Sequence, residues 1–144
     1  MKKLSIFLPI LFVVTLVFAN NLFSGSNSNL VNKEINLSIF TDNNYSSEAY
    51  DSSLAQVEVN VARVNGNSSY TALTKTYDAK QLKQFATSKN AVAEIVKIQN
   101  VKDDKEVLVI TYNVTYNTKG SKLTIARKEI IGRGEVSKKI DVVI

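Results

Sequence analysis

The most regular hydrophobic pattern in the chain covers residues 106–116, where apolar and polar side chains alternate. Because successive residues of a strand point to opposite faces, this period of two predicts a β-strand. One face is apolar throughout, whereas the other is apolar only at its start, as in a central strand with one face in the core and one partly open to water. The apolar face consists of Leu108, Ile110, Tyr112, Val114 and Tyr116.

A second alternating pattern surrounds an Asn-Gly dipeptide. Valines alternate with mostly polar residues over residues 57–64, Asn65-Gly66 follows, and a returning strand ends at Tyr77. Asn-Gly is the strongest short-range signal for a two-residue type I′ hairpin turn. The pattern therefore predicts a hairpin with Asn65 and Gly66 at its tip and with Val61 opposite Tyr70.

An α-helix is predicted to begin at Asp78. The aspartate can cap the first turn, and Gln81 three residues later completes a capping box. Residues 88–90 favour the end of the helix because asparagine tolerates the left-handed conformation found there. The helix would present a short apolar stripe made of Leu82, Phe85 and Ala86.

Four more strands complete the prediction. A short strand covers residues 35–39, and residues 92–101 are rich in β-branched side chains, although a helical extension is the alternative there. Residues 122–131 alternate with a slip that indicates a β-bulge near Arg127, and the final strand covers residues 136–144.

Together these elements predict a β-rich α+β fold in which one antiparallel sheet packs on one α-helix. The sheet would contain the N-terminal strand, the Asn-Gly hairpin and a four-strand C-terminal meander. A helix followed by four antiparallel strands is similar in element order to the cystatin-like and nuclear-transport-factor-like folds, although no family motif accompanies it. The resemblance implies a curved sheet wrapped around a helix.

The first 19 residues have the composition of a secretory signal peptide. Lys2 and Lys3 precede an almost uninterrupted apolar run over residues 4–18, and the small residue Ala19 follows. Cleavage after Ala19 is expected, with an uncleaved anchor as the alternative because the run is close to the shortest membrane span. The predicted organisation is a signal peptide at 1–19, a flexible leader at 20–34 and a single β-rich domain at 35–144. Such a protein would be exported, to a periplasm or to the cell surface, with no stable membrane span after cleavage.

Composition limits the chemistry. The chain has no histidine and no cysteine, which removes disulfides, thiol nucleophiles, Ser-His-Asp triads and the usual zinc sites. The densest carboxylate group, Asp103, Asp104 and Glu106, lies in a predicted turn, where acidic residues are ordinary turn formers. We therefore expect a protein that is not an enzyme.

Calcium is the one cofactor that the sequence suggests. The weak candidate ligands match positions 1, 3, 5 and 7 of an EF-hand loop, but Ser47 stands where glycine is needed and Ser53 where the bidentate glutamate is needed. No other cofactor is expected. The candidate ligands are Asp42, Asn44, Ser46 and Glu48.

Charge is unevenly distributed along the chain, whose formal net charge is +5. Basic residues are concentrated in the last two predicted strands, which would bring them together across a turn at residues 132–134. Such a cluster favours an anionic surface or an acidic polymer as partner, and export argues against nucleic acid. The cluster consists of Arg127, Lys128, Arg133, Lys138 and Lys139.

The N-terminal strand suggests a route to self-association. Ile35, Leu37 and Ile39 form a short apolar face between two polar, turn-rich segments, as expected for a strand lent to the sheet edge of a neighbouring subunit. Pairing within its own chain is the alternative.

Three functions remain open at this level. The first is an exported, non-catalytic subunit in surface recognition or assembly, of an adhesive or filament type. The second is a monomeric periplasmic or secreted binding or inhibitory module of cystatin-like element order. The third is a small-ligand pocket between helix and sheet, near Phe85 and Tyr112.

Overall fold

The structure is a computed structural model that describes residues 29–42 and 52–144. These residues form seven strands and two short 3-10 turns, at Leu82–Gln84 and Ser88–Asn90. The strands are β1 (Leu30–Phe40), β2 (Leu54–Asn65), β3 (Ser68–Gln81), β4 (Val92–Lys102), β5 (Val107–Thr118), β6 (Ser121–Ile131) and β7 (Ser137–Val143).

The seven strands make two sheets that pack face to face. One sheet has the order β4-β1-β7 and the other has the order β3-β2-β5-β6. β1 and β7 run parallel, and every other pair of neighbouring strands is antiparallel. Alternate residues of each strand face the opposite sheet, so apolar side chains from both sheets fill the space between them.

The core confirms the prediction made for the central strand. β5 lies between β2 and β6, and Leu108, Ile110 and Val114 are buried. From the other sheet the core receives Ile35, Leu37, Ile39, Ile98, Ile140 and Val142. Removing these side chains from water is the main favourable contribution to folding.

The predicted fold class is wrong, because the described residues contain no α-helix. Residues 78–81 extend β3 instead, where Gln81 pairs with Leu54 of β2. The predicted helix would be stabilised by only one short apolar stripe. The strand instead makes main-chain hydrogen bonds to β2, and Leu82, which follows it, is buried. The amide of Leu82 donates to the carbonyl of Ser53 at 3.0 Å and ends the strand.

The predicted four-strand meander is also wrong. β5 and β6 are neighbours, but β4 and β7 belong to the other sheet, one on each side of β1. β5 and β6 pair without a register shift, so no bulge forms at Arg127. The likeness to cystatin-like element order ends here, because two packed sheets replace one sheet wrapped around a helix.

The hairpin exists with a different tip. Asn65 pairs with Ser68, so Gly66 and Asn67 are the two central residues. Gly66 has a φ of +55°, whereas φ is not positive at Asn67, a pattern typical of a type II′ turn and not of type I′. Irregularities in the pairing then place Val61 opposite Leu73.

The N-terminal strand is longer than predicted. β1 begins at Leu30, so residues 30–34, expected in the flexible leader, are part of a sheet. The predicted signal peptide and residues 20–28 lie outside the described residues. Among the helices that the structure describes, none is long and apolar enough to cross a membrane.

Candidate binding site at the seam between β6 and β7

The two sheets meet at one side of the sandwich through β6 and β7, each an edge strand of its sheet. We call this side the β6–β7 seam. At one end it is closed by Lys138, whose Nζ atom donates to the carbonyl of Ile130 at 2.9 Å and lies 3.1 Å from Oε2 of Glu129. Toward the other end of the two strands the seam opens.

Two adjoining cavities occupy the open part of the seam. The larger has a volume of about 480 Å³ and is lined chiefly by Tyr116, Leu123, Ile125 and Ile144, together with the buried Ser53. The smaller has a volume of about 260 Å³ and shares Tyr116 and Ile125 with the larger one. Together they form a groove along the inner face of β6.

The inner face of β6 is apolar but uncovered in this groove. Leu123, Ile125 and Ile131 lie on the same face because they are an even number of residues apart. Ile131 is fully buried, whereas Leu123 is 60% exposed and Ile125 is 39% exposed. The four-stranded sheet has one strand more than the sheet it packs against. The part of β6 that is left uncovered contains Leu123 and Ile125.

The free edge of β7 borders the same groove. The amide of Ile144 donates to Phe40 at 2.9 Å and the carbonyl of Val136 accepts from Glu34 at 2.9 Å, so even-numbered residues of β7 bond to β1. Backbone groups alternate in direction along a strand, and the odd-numbered residues therefore turn their N–H and C=O groups to the free edge. These are Ser137, Lys139, Asp141 and Val143, of which the last two line the smaller cavity.

The predicted basic cluster does not form as one patch. The last two strands lie in different sheets and do not pair across the turn, so the prediction that they bring their charges together is wrong. Arg127 lines the smaller cavity, whereas Lys128 lies on the opposite face of β6. Arg133 lies in the turn, Lys138 closes the seam, and Lys139 pairs with Asp141 at 3.0 Å on the outer face.

The opposite side of the sandwich is bridged. Lys75 of β3 donates to Glu94 of β4 at 2.5 Å, and the hydroxyl of Tyr77 donates to the same carboxylate at 2.8 Å. The hydrogen bond from Lys75 lowers the pKa of Glu94, and burial together with this carboxylate raises the pKa of Tyr77. The β3–β4 side therefore has polar cross-links where the β6–β7 side has an open groove.

One end of the sandwich is held by buried charge. Lys33 is fully buried, and its ammonium donates to the carbonyls of Gly132 and Glu135 and lies 2.6 Å from Asp103. The hydrogen bond from Lys33, aided by one from the amide of Gly134, lowers the pKa of the Asp103 carboxyl. This cluster is structural, and sequence reasoning missed it because Lys33 was assigned to the leader.

Glu106 anchors the same end in a second way. Its carboxylate lies 3.6 Å from Arg63 and accepts a hydrogen bond from the hydroxyl of Tyr70 at 3.2 Å. It also accepts a hydrogen bond from the amide of Lys102 at 2.9 Å. Two of the three carboxylates that the sequence placed in a turn, Asp103 and Glu106, are therefore engaged with cations and amides of the fold.

The other predicted site residues fall in three places. Ile35, Leu37 and Ile39 are buried, and β1 is paired on both sides by strands of its own chain. Asp42 follows β1 and is exposed, while the other calcium candidates, Asn44, Ser46 and Glu48, lie outside the described residues, so a calcium site stays a prediction. Phe85 and Tyr112 line different cavities.

Comparison with known proteins adds no family. The chain matches no family model, and neither curated proteins nor solved structures include a significant match. The functional argument therefore depends on the geometry of the seam, which combines an uncovered apolar face with a row of main-chain groups at a sheet edge. These two features are what an added β-strand uses to bind.

Proposed function

We propose that this protein is an exported, non-catalytic module for surface recognition or assembly, and that it binds an extended polypeptide strand in the β6–β7 seam. The observation that carries the proposal is the exposure of Leu123 and Ile125 beside the free edge of β7. A strand added to β7 would lie over the inner face of β6 and remove both side chains from water. It would also supply partners for the odd-numbered backbone groups of β7.

Two properties of the groove favour a polypeptide strand over a small apolar ligand. Main-chain hydrogen bonding at a sheet edge gives affinity for any extended chain, and alternate side chains give selectivity. A small apolar ligand would cover Leu123 and Ile125 but would leave the edge of β7 without partners. Export is supported by the charged and apolar composition of residues 1–19, and a non-catalytic role by the absence of histidine and cysteine.

The proposal is tested with a defined peptide. An octapeptide of alternating valine and serine, with one glutamate at each end for solubility, is titrated into the isotopically labelled protein. We expect chemical-shift changes and slower amide exchange at Lys139, Asp141 and Val143. The same octapeptide with one central residue replaced by proline is the control, because proline removes a donor from the added strand.

Two protein variants locate the binding edge. Asp141→Pro removes an amide from the free edge of β7 without removing a bond to β1, and it should abolish peptide binding. Ile95→Pro is the matched control, because this odd-numbered residue of β4 turns its amide to the other free edge of the same sheet, and it should leave binding unchanged. Peptide binding that survives Asp141→Pro and is lost in Ile95→Pro would contradict the proposal.

A further inference from the structure

We infer that the strand bound in the β6–β7 seam carries a carboxylate on its inner face, and that Arg127 of β6 selects it. The inference rests on the proposed function, because it names the side chains that the same groove accepts. From the open end of the seam toward the closed end, the inward-facing residues of the bound strand would be apolar, apolar and acidic. The partner would therefore be a segment with a glutamate or aspartate two residues from the nearer of two alternating apolar residues.

The inner face of β6 changes from apolar to charged along the groove. Leu123, Ile125, Arg127 and Glu129 share this face because they are an even number of residues apart. Leu123 and Ile125 line the larger cavity, and Ile125 and Arg127 line the smaller one. A strand that covers β6 therefore lies over two apolar side chains and then over the side chain of Arg127.

Arg127 has no counter-charge within the described part of the chain. Of the two carboxylates that lie closest to it along the seam, Glu129 is 3.1 Å from Lys138 and Asp141 is 3.0 Å from Lys139. Among residues 29–42 and 52–144, no ion pair and no side-chain hydrogen bond includes Arg127, whose side chain is exposed. Its guanidinium can therefore accept a carboxylate from a second molecule.

The chemistry of the guanidinium favours a carboxylate over other side chains. A guanidinium donates two parallel hydrogen bonds to a carboxylate, and the bound strand would exclude part of the water that weakens such a pair. An apolar side chain at this position would cover the guanidinium without supplying an acceptor, which costs free energy. A lysine would place two like charges together. Arg127 would therefore favour one class of partner and disfavour two others.

The period of a strand determines where the carboxylate must lie. Side chains of the added strand alternate between the face over β6 and the outer face. A residue over Arg127 is therefore separated by an even number of positions from residues over Ile125 and Leu123. If the acidic residue moves by one position, its carboxylate turns to the outer face, on which Lys139 and Asp141 already pair with each other.

Four octapeptides with blocked ends test the inference by titration into the isotopically labelled protein at low salt. Ser-Val-Ser-Val-Ser-Glu-Ser-Ser has its glutamate on the valine face, whereas Ser-Val-Ser-Val-Glu-Ser-Ser-Ser has the same composition and net charge with the glutamate on the other face. Both are also made in reversed order, because the edge of β7 accepts a strand of either direction. In one of the two orders, the valine-face peptide should bind at least about fivefold more tightly than its isomer.

Two charge reversals on β6 assign this preference to one residue. Arg127→Glu should invert it, so that a peptide with lysine in place of the valine-face glutamate binds more tightly than the glutamate peptide. Lys128→Glu is the matched control, because it makes the same change in net charge on the opposite face of β6, and it should retain the preference for glutamate. Both side chains are exposed, so neither substitution removes packing from the core.

Equal binding of the two isomers in both sequence orders would overturn the inference. An equal effect of Arg127→Glu and Lys128→Glu on the preference would also overturn it, because the selection would then depend on net charge alone. In either case the peptides still bind and the proposed function stands. If the alternating valine–serine octapeptide itself does not bind, strand binding in the seam fails and the inference fails with it. If that peptide binds and none of the four glutamate peptides does, only the inference fails.

Discussion

The ammonium of Lys33 lies 2.6 Å from the carboxylate of Asp103 and joins β1 to the turn between β4 and β5. The same ammonium donates to the carbonyls of Gly132 and Glu135, in the turn between β6 and β7. Three segments that are distant in sequence are therefore tied at one end of the sandwich. A buried ammonium with these acceptors is satisfied, whereas removal of its counter-charge would leave it uncompensated.

Stability should fall in acid because of Asp103. Lys33 lowers the pKa of this carboxyl in the folded protein below the unfolded value of 3.8, so the unfolded chain takes up the proton first. The stabilising contribution is fully present above pH 3.8 and is lost as the pH falls through the lower folded pKa. Urea unfolding between pH 7 and pH 2 should show a shallower decline for Asp103→Asn than for the wild type. Asp104→Asn, at the exposed neighbour in the same turn, is the control and should retain the wild-type slope.

Leu123 should contribute little to the stability of the isolated domain. Ile110→Ala leaves a cavity in the core and should cost about 2–5 kcal/mol of unfolding free energy. Leu123→Ala removes a side chain that is already largely in water and should cost no more than about 0.5 kcal/mol. Denaturant titration at low protein concentration measures both. A large loss for Leu123→Ala in a monomer would show that the groove is closed in solution.

Hydrogen exchange should alternate along β7. In the monomer the amides of Ile140, Val142 and Ile144 bond to β1 and should exchange at least about tenfold more slowly than those of Lys139, Asp141 and Val143. The measurement is amide exchange followed by NMR at low protein concentration. Uniform protection along the strand under conditions where sedimentation shows a monomer would contradict the assigned direction of the free backbone groups.

Gly66 should be required by the hairpin turn. Its φ of +55° is a conformation that residues with a Cβ atom adopt at a cost, and no atom lies within 4 Å of a Cβ placed there. Gly66→Ala should therefore destabilise the protein by about 1 kcal/mol through the backbone alone. Asn67→Ala, at the next turn position, should change the unfolding free energy by less than about 0.5 kcal/mol. Equal losses at the two positions would contradict a turn with its strained residue at Gly66.

The sequence predicted strands better than it predicted their partners. Alternation identifies which face of β5 is buried, because the pattern depends only on neighbouring residues. It carries no information about which strand lies alongside, and the parallel pairing of β1 with β7 joins residues near opposite ends of the chain. The capping signals at Asp78 are equally local. They predicted a helix where β3 continues to pair with β2 up to Gln81.

The candidate site was only partly visible in the sequence. The alternation over residues 122–131 was visible, but no sequence pattern shows that Leu123 and Ile125 face no strand among those that the structure describes. Lys139 was predicted to belong to a basic cluster, whereas it pairs within β7 with Asp141, to which no role was assigned from the sequence. Lys33 was missed because a lysine in a polar segment predicts exposure, and its buried acceptors come from other turns.

The parallel pair of β1 and β7 also has a consequence for the order of folding. β1 is the middle strand of its sheet, and five described strands separate it in the sequence from one of its two neighbours, β7. During synthesis from the amino end, β1 therefore lacks this neighbour until the five intervening strands have been made. Closing so long a loop is slow, and the rate at which the native sandwich forms should be set by the arrival of β7.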